Sequence, residues 1–270
     1  MQKTILITGS TDGIGLEAAK VLVSMGHHVL LHGRNHTKLE EVKKTLLTLP
    51  GSGLVESYVA DVSCIADVET LAKTIAEKDV KLDALINNAG VYKTPNAVTQ
   101  DGLDIRFAVN TIAPYLLTQR LLPLLGISGR VINVSSAAQS AVDIEALIGQ
   151  VKLSDSTAYA QSKLAITMWS YSMALALKDG GPAIVAVNPG SMLGSKMVKQ
   201  AFGVAGGDIR IGSEILTRAA LSDEFAVASG QYFDNDSGQF ASPHPDALNP
   251  KKSQEIVRVI ETILAKLLNK

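Results

Sequence analysis

Six short apolar runs punctuate the chain, each followed by small or polar residues and then by a longer stretch of helical periodicity. Thr4-Ile5-Leu6-Ile7-Thr8 and His28-Val29-Leu30-Leu31-His32 are the first two, and residues 55–59, 84–86, 131–134 and 184–187 continue the series. A run that is apolar at successive positions has no solvent face, so these read as strands buried on both sides. Such strands sit in a parallel sheet, because the crossover that makes neighbours parallel also lays a helix over the sheet. Helices are predicted over about residues 14–25, stopping at Gly26, and about 36–48, before a turn at Pro50-Gly51. The expected fold is a doubly wound α/β parallel sheet with helices on both faces, and 270 residues suit one such domain over 1–270.

Ligands of such sheets bind beyond the carboxyl ends of the strands, so the residues after each run carry the functional information. They are Gly9-Ser10-Thr11-Asp12-Gly13-Ile14-Gly15, then Gly33-Arg34-Asn35, Asp61-Val62, Asn87-Asn88-Ala89-Gly90, Ser135-Ser136 and Asn188-Pro189-Gly190. Glycines at 9, 13 and 15 allow a tight turn and close backbone approach. The helix that follows aims its free amides and positive dipole end at whatever sits there, an environment that fits a pyrophosphate. The spacing is G-x-x-x-G-x-G rather than G-x-G-x-x-G, and an ordinary strand–helix turn would look the same. After the second run no acid stands before Glu40 to bind a ribose 2′-hydroxyl. Arg34 stands there instead, and its permanent charge suits a 2′-phosphate, so NADP(H) is expected over NAD(H).

Charge and cysteine content exclude other classes. Lys plus Arg number 25 against 26 acids, a net charge of −1, which leaves no basic excess for nucleic acid. Cys64 stands alone, so neither an internal disulfide nor a thiolate metal cluster is expected. His28, His32 and His36 are four apart, but the spacing falls on a strand and its turn rather than on one helix face, and no metal site is assigned to them. The N-terminal apolar run is too short for a signal peptide, and Ser170 and Ser172 interrupt the most apolar helical stretch, residues 164–177. A cytoplasmic location without membrane contact is expected.

Tyr159 and Lys163 lie four apart and face one side of a helix. Alone, the pair is no more informative than a surface tyrosine above a solvated lysine. In order along the chain, however, stand Thr8-Gly9-x-x-x-Gly13-Ile14-Gly15, Asn87-Asn88-Ala89-Gly90, Ser135-Ser136, Tyr159-x-x-x-Lys163 and Asn188-Pro189-Gly190. In these motifs, which cover about residues 4–195, the sequence resembles the short-chain dehydrogenase/reductase family. The length of the segment between Ser136 and Tyr159 resembles the retinol-dehydrogenase-like branch.

The resemblance implies a Rossmann fold and a set of roles. Tyr159 would be the general acid or base, and Lys163 would contact the nicotinamide ribose and lower the tyrosine pKa. Ser136 would hold the substrate oxygen, and Asn110 would help relay protons through water to Lys163. Gly9, Ser10, Thr11, Asp12, Gly13, Ile14, Gly15 and Arg34 would bind the cofactor's phosphates. Asp61 and Val62 would bracket the adenine, Asn87, Ala89 and Gly90 the central portion, and Asn188, Pro189 and Gly190 the nicotinamide side. The chemistry agrees: a phenol near pKa 10 exchanges protons poorly at neutral pH unless a neighbouring cation favours the phenolate. A serine hydroxyl can donate to an oxygen on which charge develops without adding a competing base. Ser135 and Ser136 are chemically alike, and the family pattern favours Ser136.

The segment 191–212 would cover a substrate. Many relatives carry a threonine just after the Pro-Gly, where this chain has Gly194 and Ser195, which puts that cofactor contact in doubt. Met192, Leu193, Met197 and Phe202 point to an apolar pocket wall, and nearby glycines to a mobile cover, although a core-packing helix followed by a surface loop would read alike. Tyr232 and Phe233 are expected to form a last strand, with a final helix from about residue 251. An apolar carbonyl or alcohol is the expected substrate. The family pattern implies a homodimer or homotetramer pairing through residues 104–124 and 158–178. A non-catalytic NADP(H)-binding regulator has no need of an acid–base pair, and a sugar-nucleotide epimerase would need a longer C-terminal part.

Overall fold

Strand β1 (Thr4–Ile7) has no exposed side chain at Ile5, Leu6 or Ile7, which places it in the middle of the sheet. This computed structural model describes residues 1–78 and 81–269. The other strands are β2 (His28–Gly33), β3 (Val55–Val59), β4 (Ala84–Asn87), β5 (Arg130–Val134), β6 (Ala183–Asn188), β7 (Tyr232–Asp234) and β8 (Gln239–Ala241). Their order across the sheet is β3-β2-β1-β4-β5-β6-β7-β8. Pairing is parallel as far as β7, and β8 returns antiparallel to it.

The helices are α1 (Gly13–Ser24), α2 (His36–Leu47), α3 (Ile65–Ala76), α4 (Ile105–Phe107), α5 (Ala113–Leu125), α6 (Ile144–Leu147), α7 (Asp155–Leu177), α8 (Lys196–Phe202), α9 (Arg210–Leu221), α10 (Asp223–Ala226) and α11 (Pro250–Leu268). Successive side chains of a strand point to opposite faces, and the two cores divide accordingly. Leu6, Leu30, Leu85, Val131 and Ile184 pack under α3, α5, α7 and α11. Ile5, Ile7, Val29, Ile86, Ile132 and Val185 pack under α1, α9 and α10. Both faces are thus covered, as the unbroken apolar runs require.

The winding reverses after β3, which lies on one side of β1 while β4 lies on the other. Parallel loops leave β1 and β4 in opposite lateral directions there, and a crevice opens between them. The helical segment that follows β4 widens into a π turn at Ala108–Ile112. Pro114, at the start of α5, cannot supply the amide that an α-helix would give to the Asn110 carbonyl. A π turn relieves that mismatch, and such turns recur at functional sites.

Predicted and observed helix ends agree within a residue or two for α1, α2 and α11. The hairpin partner β8 was not foreseen: Gln239-Phe240-Ala241 is too short to stand out as an apolar run. Gly238, with φ +71°, closes its turn.

Candidate active site

The glycine loop after β1 is held by a network that starts from Thr8. Its Oγ1 accepts hydrogen bonds from the amides of Asn88 and Ala89, each at 3.0 Å. The Asn88 Nδ2 donates back to the carbonyls of Thr8 (2.9 Å) and Gly9 (3.1 Å). The Asn-Asn-Ala-Gly motif is therefore a clasp on the glycine loop. Gly9 turns with φ +65°, and a Cβ there would meet the Ala89 Cα at 2.9 Å. Gly13 (φ +58°) has room: the nearest atoms to a Cβ would be Ser195 Cβ at 3.9 Å and Ile209 Cδ1 at 4.0 Å. The opening amides of α1, at Ile14 and Gly15, have no carbonyl one turn earlier and face the crevice end of the helix.

His32 is the residue that sequence reasoning filed as mere strand. Its Nδ1 accepts the Gly9 amide at 3.1 Å and its Nε2 donates to the Ala60 carbonyl at 3.1 Å, so the ring ties the ends of β1, β2 and β3 together. Burial pushes its pKa down to about 4, against a smaller upward effect from the Ala60 carbonyl and Asp61. The folded protein therefore resists a proton that the unfolded chain takes up near 6.5. Stability falls as pH drops from 6.5 towards 4, by about 2 kcal/mol at pH 5. Urea unfolding at pH 7 and pH 5 checks this: His32→Gln should lose most of the pH dependence and be less stable at pH 7. An equal acid loss in both proteins would remove His32 as its source.

Several expected cofactor residues take structural roles. The Ser10 hydroxyl is fully buried, accepting the His32 amide (2.9 Å) and donating to the His32 carbonyl (3.2 Å). Asn87 points its amide away from the crevice, donating to Thr118 Oγ1 (3.0 Å) and Asn133 Oδ1 (2.8 Å), because its position in β4 faces the α5 and α7 layer. Asn188 turns towards the β7–β8 hairpin, donating to Asp234 and Asp236. Thr11 packs against Gly33, where a Cβ would come within 2.7 Å of its Cγ2. Asp61 accepts from the Ser63 amide and hydroxyl, with Val62 buried beside it at the end of β3. Arg34 is exposed at the end of β2, and Asn35 caps α2 next to it.

Asp12 caps α1 and pairs with two lysines, Lys38 of α2 at 2.9 Å and Lys196 of α8 at 2.8 Å. Partial burial raises its pKa, but the bonds from Lys196, Lys38 and the Gly13 amide outweigh that and leave it at about 2. The glycine loop is thereby tied to the segment that crosses over it.

At the other end of the crevice, Tyr159 and Lys163 sit on α7, with the Lys163 Nζ 5.7 Å from the Tyr159 ring centre. Lys163 is buried, and its Nζ donates to the Val134 carbonyl at 2.6 Å. Burial pushes its pKa down to about 7. Burial likewise raises the Tyr159 phenol, partly offset by a hydrogen bond with Ser136, while Tyr92 adds to the rise. The expectation that Lys163 lowers the phenol pKa is not met in the protein alone. A lysine whose own charge is weakened by burial is a poor local cation.

The two serines separate cleanly. Ser135 is buried, bonded to the Lys163 carbonyl (3.0 Å) and Thr167 Oγ1 (2.7 Å), whereas Ser136 faces the crevice beside Tyr159. Asn110, in the π turn, joins the loop after β4 to α7. Its Oδ1 accepts the Val91 amide at 2.8 Å, and its Nδ2 donates to the Val91 carbonyl and to Ser162 Oγ, both at 3.0 Å. The Asn110 amide therefore positions the loop after β4. A Cβ on Gly90 would lie 3.5 Å from Asn110 Oδ1 and 3.7 Å from Lys163 Nζ, so this glycine leaves the floor of the crevice open.

The covering segment begins after Pro189, which is buried, and Gly190, with φ +119°. The Gly207 amide donates to the Met192 carbonyl and the Gly194 amide to the Gly207 carbonyl, both at 2.8 Å, closing the segment at its base. Of the four expected wall residues, Met197 and Phe202 reach the site: Met197 Cε approaches Gly90, and Phe202 packs on Tyr92. Leu193 instead packs inwards near Gly190 and Gly212, and Met192 stands exposed with φ +54°. Ser195, the substitute for the family's threonine, accepts the Val198 amide and caps α8.

Glycine cradle, free helix amides and open floor fit a nicotinamide dinucleotide laid along the strand ends. Residues 3–203 match the family described as short chain dehydrogenase. The chain is 30% identical to Retinol dehydrogenase 13 of Homo sapiens over 285 residues, covering 98% of this chain and 84% of that protein. Its fold is similar to that of an uncharacterised protein from Mycobacterium paratuberculosis, with TM-score 0.81 and 24% identity over 98% and 94% of the two chains. It is also similar to a short chain dehydrogenase from Shigella flexneri solved in complex with NADP, with TM-score 0.67 and 26% identity over 86% and 96%.

Proposed function

The chain belongs to the short-chain dehydrogenase/reductase family, in its retinol-dehydrogenase-like branch, and from that premise we propose an NADP(H)-dependent oxidoreductase acting on apolar carbonyl or alcohol groups. The observation that carries the proposal is the meeting of the Tyr159 phenol, the Ser136 hydroxyl and the buried Lys163 amine at one end of a glycine-floored crevice. The nicotinamide, when bound, supplies or accepts the hydride. The protein's part is to place the substrate oxygen and move one proton.

Ser136 donates to the substrate oxygen, and Tyr159 delivers a proton to it as charge develops during reduction. A phenol raised above its ordinary value stays protonated at neutral pH, so Tyr159 is stocked for reduction, while alcohol oxidation calls for its deprotonation and higher pH. Lys163 would hold the ribose near the phenol, and Asn110 keeps the Val91 backbone and α7 in register through Ser162. Met197 and Phe202 border this end of the crevice, the first beside Gly90 and the second on Tyr92.

Consumption of NADPH over a panel of aldehydes, ketones and quinones, with Tyr159→Phe in parallel, tests the reading. Turnover that vanishes in the variant supports it; tight NADPH binding with no turnover on any carbonyl argues for a binding protein instead. For the cofactor choice, Arg34→Ala should raise the Kd of NADPH about 10- to 100-fold, the range of a charge-assisted hydrogen bond, and leave NADH affinity unchanged. Equal affinities for the two cofactors in the wild type would remove the preference.

A further inference from the structure

Aromatic residues make up only 4% of the chain, yet two of them, Tyr92 and Phe202, stack in series on the reacting Tyr159. Tyr92 lies between the other two, its ring centre 4.7 Å from that of Tyr159 and 5.4 Å from that of Phe202, at tilts of 47° and 55°. We infer that Tyr92 and Phe202 form an aromatic slot that selects flat, conjugated carbonyl substrates, aryl aldehydes and ketones above all, over aliphatic ones of equal size. The inference rests on the proposed reductase activity and narrows its substrate class.

The two walls differ in how firmly they are held. Tyr92 follows Val91, whose amide and carbonyl are both bonded to Asn110. Its own carbonyl accepts from Arg106 Nη1 at 3.4 Å. Arg106 has no solvent exposure and is gripped by Asp104 at 2.6 Å and Asp155 at 2.5 Å. Asp155 is the first residue of α7, one turn before Tyr159. Arg106 thus sets the Tyr92 loop and the Tyr159 helix in one frame, and the first wall is fixed relative to the reacting group.

Phe202 is the movable wall. It ends α8, is 51% exposed, and is followed by Gly203 in the left-handed region with φ +71°. A substrate approaching Tyr159 beside Tyr92 has to displace the Phe202 ring from its contact. A flat π group restores that contact with its own face or edge, whereas a saturated ring does not. The difference falls on substrate choice rather than on the chemical step.

Benzaldehyde and cyclohexanecarboxaldehyde, matched in size, supply the test with NADPH as reductant. Their intrinsic reactivities differ, so the informative quantity is how the ratio of their kcat/KM values changes between proteins. Tyr92→Leu should lower the benzaldehyde preference about tenfold, Tyr92→Phe should retain it, and Phe202→Leu should lower it in the same direction. Should Tyr92→Leu fail to fold, the exposed Phe202→Leu still decides. An unchanged ratio in the leucine variants overturns the slot, as does wild-type turnover of other carbonyls but not of benzaldehyde. Absence of NADPH oxidation with every carbonyl overturns the reductase reading itself, and the slot with it.

Discussion

Replacing Tyr159 by Phe should lower kcat/KM for carbonyl reduction about 10³-fold while changing the Kd of NADPH less than about twofold. The magnitude is that of removing a positioned general acid, typically 10²- to 10⁴-fold. The split follows from geometry: the phenol faces Ser136 at the crevice mouth, whereas the cofactor's phosphates would meet the glycine loop at the far end of the sheet rim. The Tyr159 ring would keep its place against Tyr92 in the variant, since that contact needs no hydroxyl. Steady-state kinetics together with fluorescence titration of NADPH measure both quantities. A variant retaining more than a tenth of wild-type activity would exclude Tyr159 as the proton donor.

Gly15→Ala should be nearly as damaging, by another route. A Cβ at Gly15 would lie 2.4 Å from Asn88 Nδ2 and 2.5 Å from the Gly9 carbonyl oxygen. Those two atoms are bonded to each other at 3.1 Å, so the added methyl wedges open the clasp between the glycine loop and β4. Neither can yield cheaply, because the Asn88 amide also holds the Thr8 carbonyl and the Gly9 oxygen is backbone. Overpacking of this kind costs about 1–3 kcal/mol, occasionally more. The displaced loop amides should weaken NADPH binding about 100-fold, the equivalent of one or two charge-assisted hydrogen bonds. Urea unfolding and calorimetric titration are the measurements, and an NADPH Kd within threefold of wild type would disprove the clasp's role in cofactor binding.

Much of this architecture is legible in the amino acids, for a physical reason. Buried parallel strands need apolar residues at every position, so β1, β2 and β4 announce themselves, and the small residues after each mark the rim. Tyr159, Lys163 and Ser136 meet there because their strand and helix deliver them to one end. What escapes a linear reading is direction. Asn87 and Asn188 sit in rim motifs, yet the pleat sends their side chains into the interior and towards the β7–β8 hairpin. Ser135 and Ser136 are identical in chemistry, and only the opposite facing of neighbouring residues separates them. His32 looked like strand filler, although a polar ring closing an apolar run beside a glycine loop is a signal that could have been weighed. Tyr92 and Arg106 carry no motif; their importance arises only when the loop after β4 folds over α7.

The clasp between Thr8 and Asn88 joins residues 80 positions apart. Since the N-terminal strand lies between β2 and β4, it emerges from a ribosome long before one of its two neighbours exists. The nucleotide-cradling turn must therefore wait, unfastened, until some ninety residues have left the exit tunnel, and closing so long a loop precedes any reward from the contacts it makes. During vectorial synthesis the glycine turn thus acquires its shape only with β4, while Ser136, Tyr159 and the covering segment are still to be added. Until β4 arrives, β1 has one edge paired with β2 and the other open, and that unpaired edge is what a chaperone would have to protect.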